Sequence, residues 1–377
     1  MYSRLIQPPK NKSFFLFGPR GTGKTTWVRA NFKDALYLDL LEAELFNDLL
    51  ANPQRIENLI PKNFDDWIII DEVQRIPELL NEIHRLIEKY KFKFILTGSN
   101  ARKLKRKGPN LLAGRALTYS LHPLTVLELG NDFNLSHSLK YGGLPSVYVE
   151  DDPKKYLESY VKTYLEEEIQ QEGLTRNLGA FSRFLEAASF SQGSVLNISK
   201  VAQECAIERK VVENYFTILE DLLIGYRIPA FTRRAKRRLS AHPKFYYFDT
   251  GLYRTLRPMG PLDTPEEAQG HAIETLLFQE PYAVNDYLNF GYKIYYWRTS
   301  TGIETDFVLY GERGIRVFEV KRTRKVTTTM CRGLKAFLGD YPSAKAYLLY
   351  GGDRSMREGD IEIISIDYAL KNLSSIL

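Results

Sequence analysis

Two sets of residues have types and spacings that chemistry could use. Gly18, Pro19, Arg20, Gly21, Thr22, Gly23, Lys24 and Thr25, with Thr26 behind them, follow the spacing G-x-x-x-x-G-K-[ST] after the apolar run Phe14 to Phe17. In that spacing glycines let backbone N–H groups curl around phosphate oxygens, the lysine brings charge to the β and γ phosphates of ATP, and the threonine hydroxyl ligates Mg²⁺. The metal also needs a carboxylate at the end of a neighbouring strand, and Trp67-Ile68-Ile69-Ile70-Asp71-Glu72 offers one. Asp71 would hold Mg²⁺ through water while Glu72, pointing differently, polarises the attacking water, so hydrolysis is the expectation. The competing use of Asp71 and Glu72 is to cap the helix that follows. A further run, Phe94 to Leu96, leads into Thr97-Gly98-Ser99-Asn100, where a polar side chain either senses the γ-phosphate or makes an ordinary turn.

The second set lies in the last third of the chain. Alternation along Ile303 to Tyr310 puts Glu304, Asp306 and Val308 on one face, and along the next strand Val317, Glu319 and Lys321 share a face. A turn at Gly311 to Gly314 lets the two strands form a hairpin that brings Asp306, Glu319 and Lys321 to a common point. Asp306 and Glu319 would bind Mg²⁺ and Lys321 would orient or activate water, the parts that phosphodiester hydrolysis needs. Glu274, on a predicted helix from His271 to Gln279, adds a third carboxylate as a metal ligand. A cross-strand salt bridge on an exposed face would carry the same Glu-x-Lys pattern.

The elements that must position these residues follow from hydrophobic rhythm. Ser13 to Phe17, Ala35 to Asp39, Trp67 to Asp71, Lys93 to Gly98 and Leu117 to Leu121 read as strands between helix-like stretches, which predicts an α/β unit with a parallel sheet. Asp151-Asp152-Pro153 is a helix start, with a long helix expected to about Gln171. Farther on, strands are predicted at Lys293 to Arg298, Ile303 to Tyr310, Ile315 to Arg322 and Ala344 to Tyr350. Between the two α/β regions, Ile198 to Ile207 gives a capped short helix and a turn. Glu208 to Leu223 then carries an apolar stripe at Val212, Tyr215, Phe216, Leu219 and Leu222. That is a helix-turn-helix pattern, and Ile224 to Pro229 with Lys244 to Asp249 would be the strands of a wing.

Between those strands the chain is at its most basic: Arg227, Arg233, Arg234, Lys236, Arg237, Arg238 and Lys244 with no acid. Together with Arg209 and Lys210 on the second helix, these are the candidate phosphate contacts to nucleic acid, DNA being favoured. The competing reading is a winged helix that only packs. Ala101 to Arg115 is also basic, with six cations and no acid, a pattern equally typical of a solvated face.

The 377 residues, 44% of them apolar, suffice for two to three cores, and 52 Lys and Arg against 46 Asp and Glu leave a net +6 that suits a polyanionic partner. Apolar runs of four residues exclude a membrane-spanning helix, and the polar, proline-bearing start lacks the apolar stretch of a secretory signal. No membrane partner and a cytoplasmic location are therefore expected. Two cysteines, Cys205 and Cys331, are too few for a disulfide framework.

Taken together, the stretches FGPRGTGKTT, WIIIDEVQRIP, FILTGSNARKL, LLAGRALTYSLHPLTVLEL, YGGLPSVY, KFYYFDTGL, YYWRTSTGIETDFVL and VFEVK resemble the AAA-type P-loop ATPases. In particular they resemble the prokaryotic family in which such a core is fused to domain of unknown function 4143. The resemblance implies that Ser99 or Asn100 is a nucleotide sensor. It also implies that Arg115 reaches a neighbouring subunit's nucleotide as an arginine finger, which would make the protein a homo-oligomer; a place on a surface basic face remains the other use of Arg115. The Asp306…Glu319-x-Lys321 pattern is similar to that of restriction-endonuclease-like, PD-(D/E)xK, nucleases. The expected fold class is thus multidomain α/β, divided into an AAA-type core at 1–135, a helical linker at 136–180, a winged-helix module at 181–250 and a restriction-endonuclease-like domain at 251–377. The expected function is an Mg²⁺-dependent ATPase that binds DNA, branched forms included, and carries a nuclease-like domain for DNA processing. The alternative is a nucleotide-dependent switch that binds DNA or a protein partner without cutting.

Overall fold

A computed structural model describes residues 2–99, 112, 114–165, 169, 177–232, 242–260 and 264–377. The chain divides into two compact units, one formed by Ile6–His122 with Asp221–Leu223, the other by Met1–Leu5, Pro123–Glu220 and Ile224–Leu377.

The first unit is built on five parallel strands: Ser13–Phe17 (β1), Leu36–Asp39 (β2), Trp67–Asp71 (β3), Lys93–Gly98 (β4) and Ala116–Ser120 (β5), in the order β2-β3-β4-β1-β5. The continuous apolar runs are explained by this position, since helices cover both faces of a parallel sheet and every residue of β3 is buried. Helix Lys24–Asn31 (α1) follows β1, and helix Leu79–Tyr90 (α2) buries Leu79, Leu80, Ile83 and Leu86 along one stripe before Lys91 ends it in a left-handed conformation.

The second unit holds a six-stranded mixed sheet of Lys293–Arg298 (β8), Glu304–Gly311 (β9), Gly314–Lys321 (β10), Lys345–Tyr350 (β11), Met356–Glu358 (β12) and Ile361–Ser365 (β13), in the order β12-β13-β11-β10-β9-β8. One face packs Phe307, Leu309, Phe318 and Val320 against Ile273, Leu276 and Leu277 of helix Pro265–Tyr287. The other packs Val308, Val317 and Leu348 with Trp297, Leu334 and Phe337. Trp297 is thus a core residue, edge-on to Phe337.

The same unit contains helices Leu178–Ser189, Ile198–Cys205 and Arg209–Asp221 and a two-stranded antiparallel ribbon of Gly225–Ile228 (β6) and Lys244–Tyr247 (β7). Asn197 caps the middle helix by accepting from the Lys200 N–H at 3.0 Å, and Ala206 turns the corner at φ 52.

Of the helix expected to about Gln171, the described residues are α-helical over Pro153–Ser159, π-helical over Tyr160–Leu165 and helical again at Ile169. Two sequence expectations change. The helix expected at His271 to Gln279 runs over Pro265–Tyr287 through Pro281, its centre and C-terminal part burying Ile273, Leu276, Leu277 and Val284 in one core with the sheet. Strands β12 and β13 were not expected at all. β13 carries the short apolar run Ile361, Ile363, Ile364, which periodicity alone does not separate from a helix segment.

Candidate functional site

Each unit brings one set of candidate residues together. In the first, the Gly18–Thr25 loop joins β1 to α1. Gly23 is the helix N-cap at φ 88, a conformation that costs glycine nothing, and no acid occupies the first turn. The backbone N–H groups there favour an anion. Gly18 approaches the Leu121 carbonyl so closely that a Cβ would collide with it. Lys24 is buried, its Nζ donating to Gly18 O at 2.7 Å and Pro19 O at 3.1 Å. Thr22 is fully buried and donates to Pro19 O at 2.9 Å, whereas Arg20, Thr25 and Thr26 are exposed.

The parallel register β2-β3-β4 places the C-terminal strand ends beside the loop. Thr25 Oγ1 donates to Asp71 Oδ2 at 2.8 Å. Asp71 also accepts from the Tyr37 and Thr97 hydroxyls and from the Glu72 N–H at 3.1 Å, so its carboxylate is fixed by four donors. Burial, then the Asp71 carboxylate, holds the Tyr37 phenol far above its ordinary range. Glu72 sits at φ 59, rare for a side-chain-bearing residue. Burial raises its carboxyl above the usual range, opposed by the Lys24 charge.

Gln74 is a residue the sequence reading missed: its Nε2 donates both to Glu72 and to buried Ser99 Oγ, the latter at 3.3 Å. The signal was present in the run Asp71-Glu72-Val73-Gln74, one turn past the strand. Asn100 lies outside the described residues. Arg115 pairs with Glu88 within its own chain.

In the second unit, the β9–β10 ladder ends at Phe307–Phe318, and one step on the Val320 N–H donates instead to Asp306 Oδ2 at 2.8 Å. Beyond that pair Asp306 and Glu319 are buried and Lys321 is half-buried, close enough for their charges to act on one another. Lys321 Nζ lies 2.6 Å from Glu319 Oε1, while Glu319 Oε2 is buried with no hydrogen-bond partner among the described residues. Glu274 reaches in from the long helix; a Cβ at Gly193, itself at φ 67, would come within 2.6 Å of its Oε2. Burial and then the Asp306 charge push Glu274 and Glu319 up to about 8, against the pull of nearby lysines. Among the described residues, no three His, Cys, Asp or Glu side chains stand close enough to hold a metal ion as they are. The donor chemistry nevertheless suits a hard divalent cation, since these are carboxylate oxygens and one is orphaned. Arg298 and Lys244 share Glu304, at 3.3 and 4.0 Å.

That position of Lys244 corrects its assignment to phosphate contact. Strand alternation turns it inward at 3% exposure, its ammonium over the Tyr296 ring at 5.5 Å. Arg227, at the other end of the basic stretch, is half-buried against Glu220. Arg209 is exposed and paired with Glu213 at 3.1 Å, and Lys210 is exposed. Glu213, Asn214, Thr217, Arg227 and His242 line an open groove of about 390 Å³. Arg233, Arg234, Lys236, Arg237 and Arg238 lie outside the described residues.

Residues 10–130 match a family model described as an AAA domain, residues 133–263 domain of unknown function 8612, and residues 269–369 domain of unknown function 4143. The chain therefore carries an AAA, P-loop ATPase-like domain and, beyond the region matched as domain of unknown function 8612, domain of unknown function 4143. An uncharacterized protein from Haemophilus influenzae is 24% identical over 243 residues, 59% of this chain, and the chain spans 61% of that relative's length. A crystal structure of protein VC1899 from Vibrio cholerae covers 90% of this chain and 96% of its own at 12% identity. Its TM-score is 0.23, from which no shared fold follows. No helix among the described residues is long and apolar enough to cross a membrane.

Proposed function

We propose that the chain is an Mg²⁺-dependent ATPase that binds DNA through its middle segment and acts on phosphodiesters at its C-terminal carboxylates. The observation that carries the ATPase part is the contact between Thr25 Oγ1 and Asp71 Oδ2. It puts a hydroxyl and a carboxylate side by side where a phosphate-bound Mg²⁺ requires both. The bound ion would neutralise charge on the β and γ phosphates. Lys24, now engaged with Gly18 O and Pro19 O, would exchange those carbonyls for phosphate oxygens. Glu72 would take the proton of the attacking water, its raised affinity for protons bringing it nearer to neutral pH. Gln74 would hold Glu72 until Ser99 and Gln74 meet the γ-phosphate. Arg115, released from Glu88, would serve a neighbouring subunit in a homo-oligomer.

The C-terminal domain is read as restriction-endonuclease-like, with Asp306, Glu319 and Glu274 as metal ligands and Lys321 beside the attacking water. Support comes from the nearness of Asp306, Glu319 and Lys321 where the β9–β10 ladder ends. Support for DNA contact comes from the groove beside Asn214 and Thr217 and from the cations of 233–238. A second reading, a switch that binds DNA or a protein without cutting, is favoured by the ammonium groups that now neutralise the carboxylates.

One experiment separates these readings: ATP turnover by wild type and Glu72→Gln, with and without duplex, single-stranded and branched DNA, the same tubes being read on gels. Stimulation by one DNA form with cut product supports the full proposal, and stimulation with intact DNA supports the switch. Turnover indifferent to every DNA removes nucleic acid from the function.

A further inference from the structure

The Asp71 carboxylate is saturated by the chain's own groups. Ionised, it offers about four lone-pair sites on its two oxygens, and four donors take them. Oδ1 accepts from the Thr97 hydroxyl and the Glu72 N–H, Oδ2 from the hydroxyls of Thr25 and Tyr37. A carboxylate that holds Mg²⁺ through water must accept from one of the waters the ion retains. One of the four donors therefore has to leave. The Glu72 N–H belongs to the next peptide and is fixed by the chain. The Thr97 hydroxyl is carried by a fully buried residue of β4, which lies between β3 and β1. Thr25 ligates the ion through an oxygen lone pair and can keep its own proton on Asp71. That leaves Tyr37, half-buried on the edge strand β2 and sharing Oδ2 with Thr25. Its ring is braced from the helix that carries Thr25: Arg29, one turn farther along α1, lays its guanidinium over the ring at 4.2 Å.

We propose that the Tyr37 hydroxyl holds the place on Asp71 Oδ2 that a water of nucleotide-bound Mg²⁺ takes, so that the phenol must swing off before the ion seats, and that Tyr37 thereby sets how strongly the loop prefers metal-bound nucleotide. This rests on the reading of Thr25 and Asp71 as the Mg²⁺ site. Tyr37 acts as a positioning residue, since it works through Asp71 and not on nucleotide or ion. It keeps the carboxylate aimed at Thr25 and its charge satisfied until the metal complex arrives. Lys24 is engaged in a similar way, on the Gly18 and Pro19 carbonyls. Bare nucleotide has only the lysine's contacts to displace, whereas the metal complex must displace the phenol as well. Phenylalanine at this position keeps the ring under Arg29 and removes only the competing donor.

The test is calorimetric titration of the non-hydrolysable β,γ-imido analogue of ATP into the full chain, once with Mg²⁺ and once with EDTA, for wild type, Tyr37→Phe and Thr25→Ala. The quantity read is the factor by which Mg²⁺ tightens binding. Tyr37→Phe is expected to raise that factor about tenfold, because the water no longer competes with a hydrogen bond to a charged group, while affinity in EDTA stays at the wild-type value. A factor in Tyr37→Phe equal to or below that of wild type, with the wild-type factor lost in Thr25→Ala, overturns the role of Tyr37 and leaves the metal site standing. An equal change in Mg²⁺ and in EDTA also overturns it, because the phenol then acts on the loop and not on the seating of the ion. No gain from Mg²⁺ in either wild type or Tyr37→Phe overturns both.

Discussion

The loop at Gly18–Thr25 and the carboxylate cluster at Asp306 are assembled in opposite ways. At the loop, one continuous motif meets the C-terminal ends of three neighbouring parallel strands, and Asp71 alone takes four donors, Gln74 Oε1 being a buried atom there with no hydrogen-bond partner among the described residues. Around Asp306, residues from a helix, two sheet strands and a ribbon strand come together, two carboxyls are pushed up to about 8, and Glu319 Oε2 has no hydrogen-bond partner among the described residues. A site built for a ligand that brings its own charges and geometry can be closed upon itself when empty. A site that must gather like charges carries its cost in the folded protein.

Substitutions break this contrast in graded ways. The largest effect is expected at Glu72→Gln, which should lower ATP turnover by about 10² to 10⁴ while ATP still binds, as followed by a fluorescent nucleotide. Lys24→Ala should weaken nucleotide binding by about 10- to 100-fold, measured by calorimetry, because charge-assisted bonds to phosphate are lost. Asp306→Asn should spare ATP turnover and abolish any DNA cleavage; a parallel loss of both would mean that the two sites do not work separately. Gly193→Ala should destabilise the second unit and disturb Mn²⁺ binding together, since its Cβ would press on Glu274 and its φ of 67 suits glycine.

The last effect is a slope. Glu280 is fully buried, accepts from the Val126 N–H, and is pushed up to about 8 by burial. Its folded form holds a proton more tightly than the unfolded chain does, so its share of stability is complete below the unfolded value of 4.5 and is lost as pH rises through about 8. Glu280→Gln should remove about 1.4 kcal/mol per pH unit from the dependence inside that window, read by urea unfolding at a series of pH values.

How much of this was legible in the sequence follows the same contrast. The β1 loop, the β3 terminus and the strands of the first sheet could be placed because each signal is local: apolar runs, glycines and a lysine within a few residues. Asp306, Glu319 and Lys321 could be placed because a hairpin with period-two alternation fixes them. Lys244 could not, since its facing depends on pairing with β6, and a lysine after a run of arginines looks like one more surface cation. Gln74 was passed over because glutamine after an acidic pair reads as helix surface. The π-helical turn at Tyr160–Leu165 leaves no composition mark, being a change in hydrogen-bond register that the same residues also permit as α-helix.

The chain's route through its own units has a consequence for how it holds together. Arg4 bonds to Glu128 at 3.0 Å and to the Tyr287 hydroxyl at 3.0 Å, and the Leu5 N–H donates to Glu128 at 2.8 Å, yet Ile6–His122 is spent building the other unit before the chain returns. The nucleotide-loop unit is therefore an insertion inside a clasp. If it melts, the clasp must close a long floppy loop at an entropic cost of about 4 kcal/mol. Whatever keeps Ile6–His122 folded then also fastens the first five residues, so the far N-terminus becomes a tether whose release, seen as protease access at Arg4, reports on the health of a unit to which it does not belong.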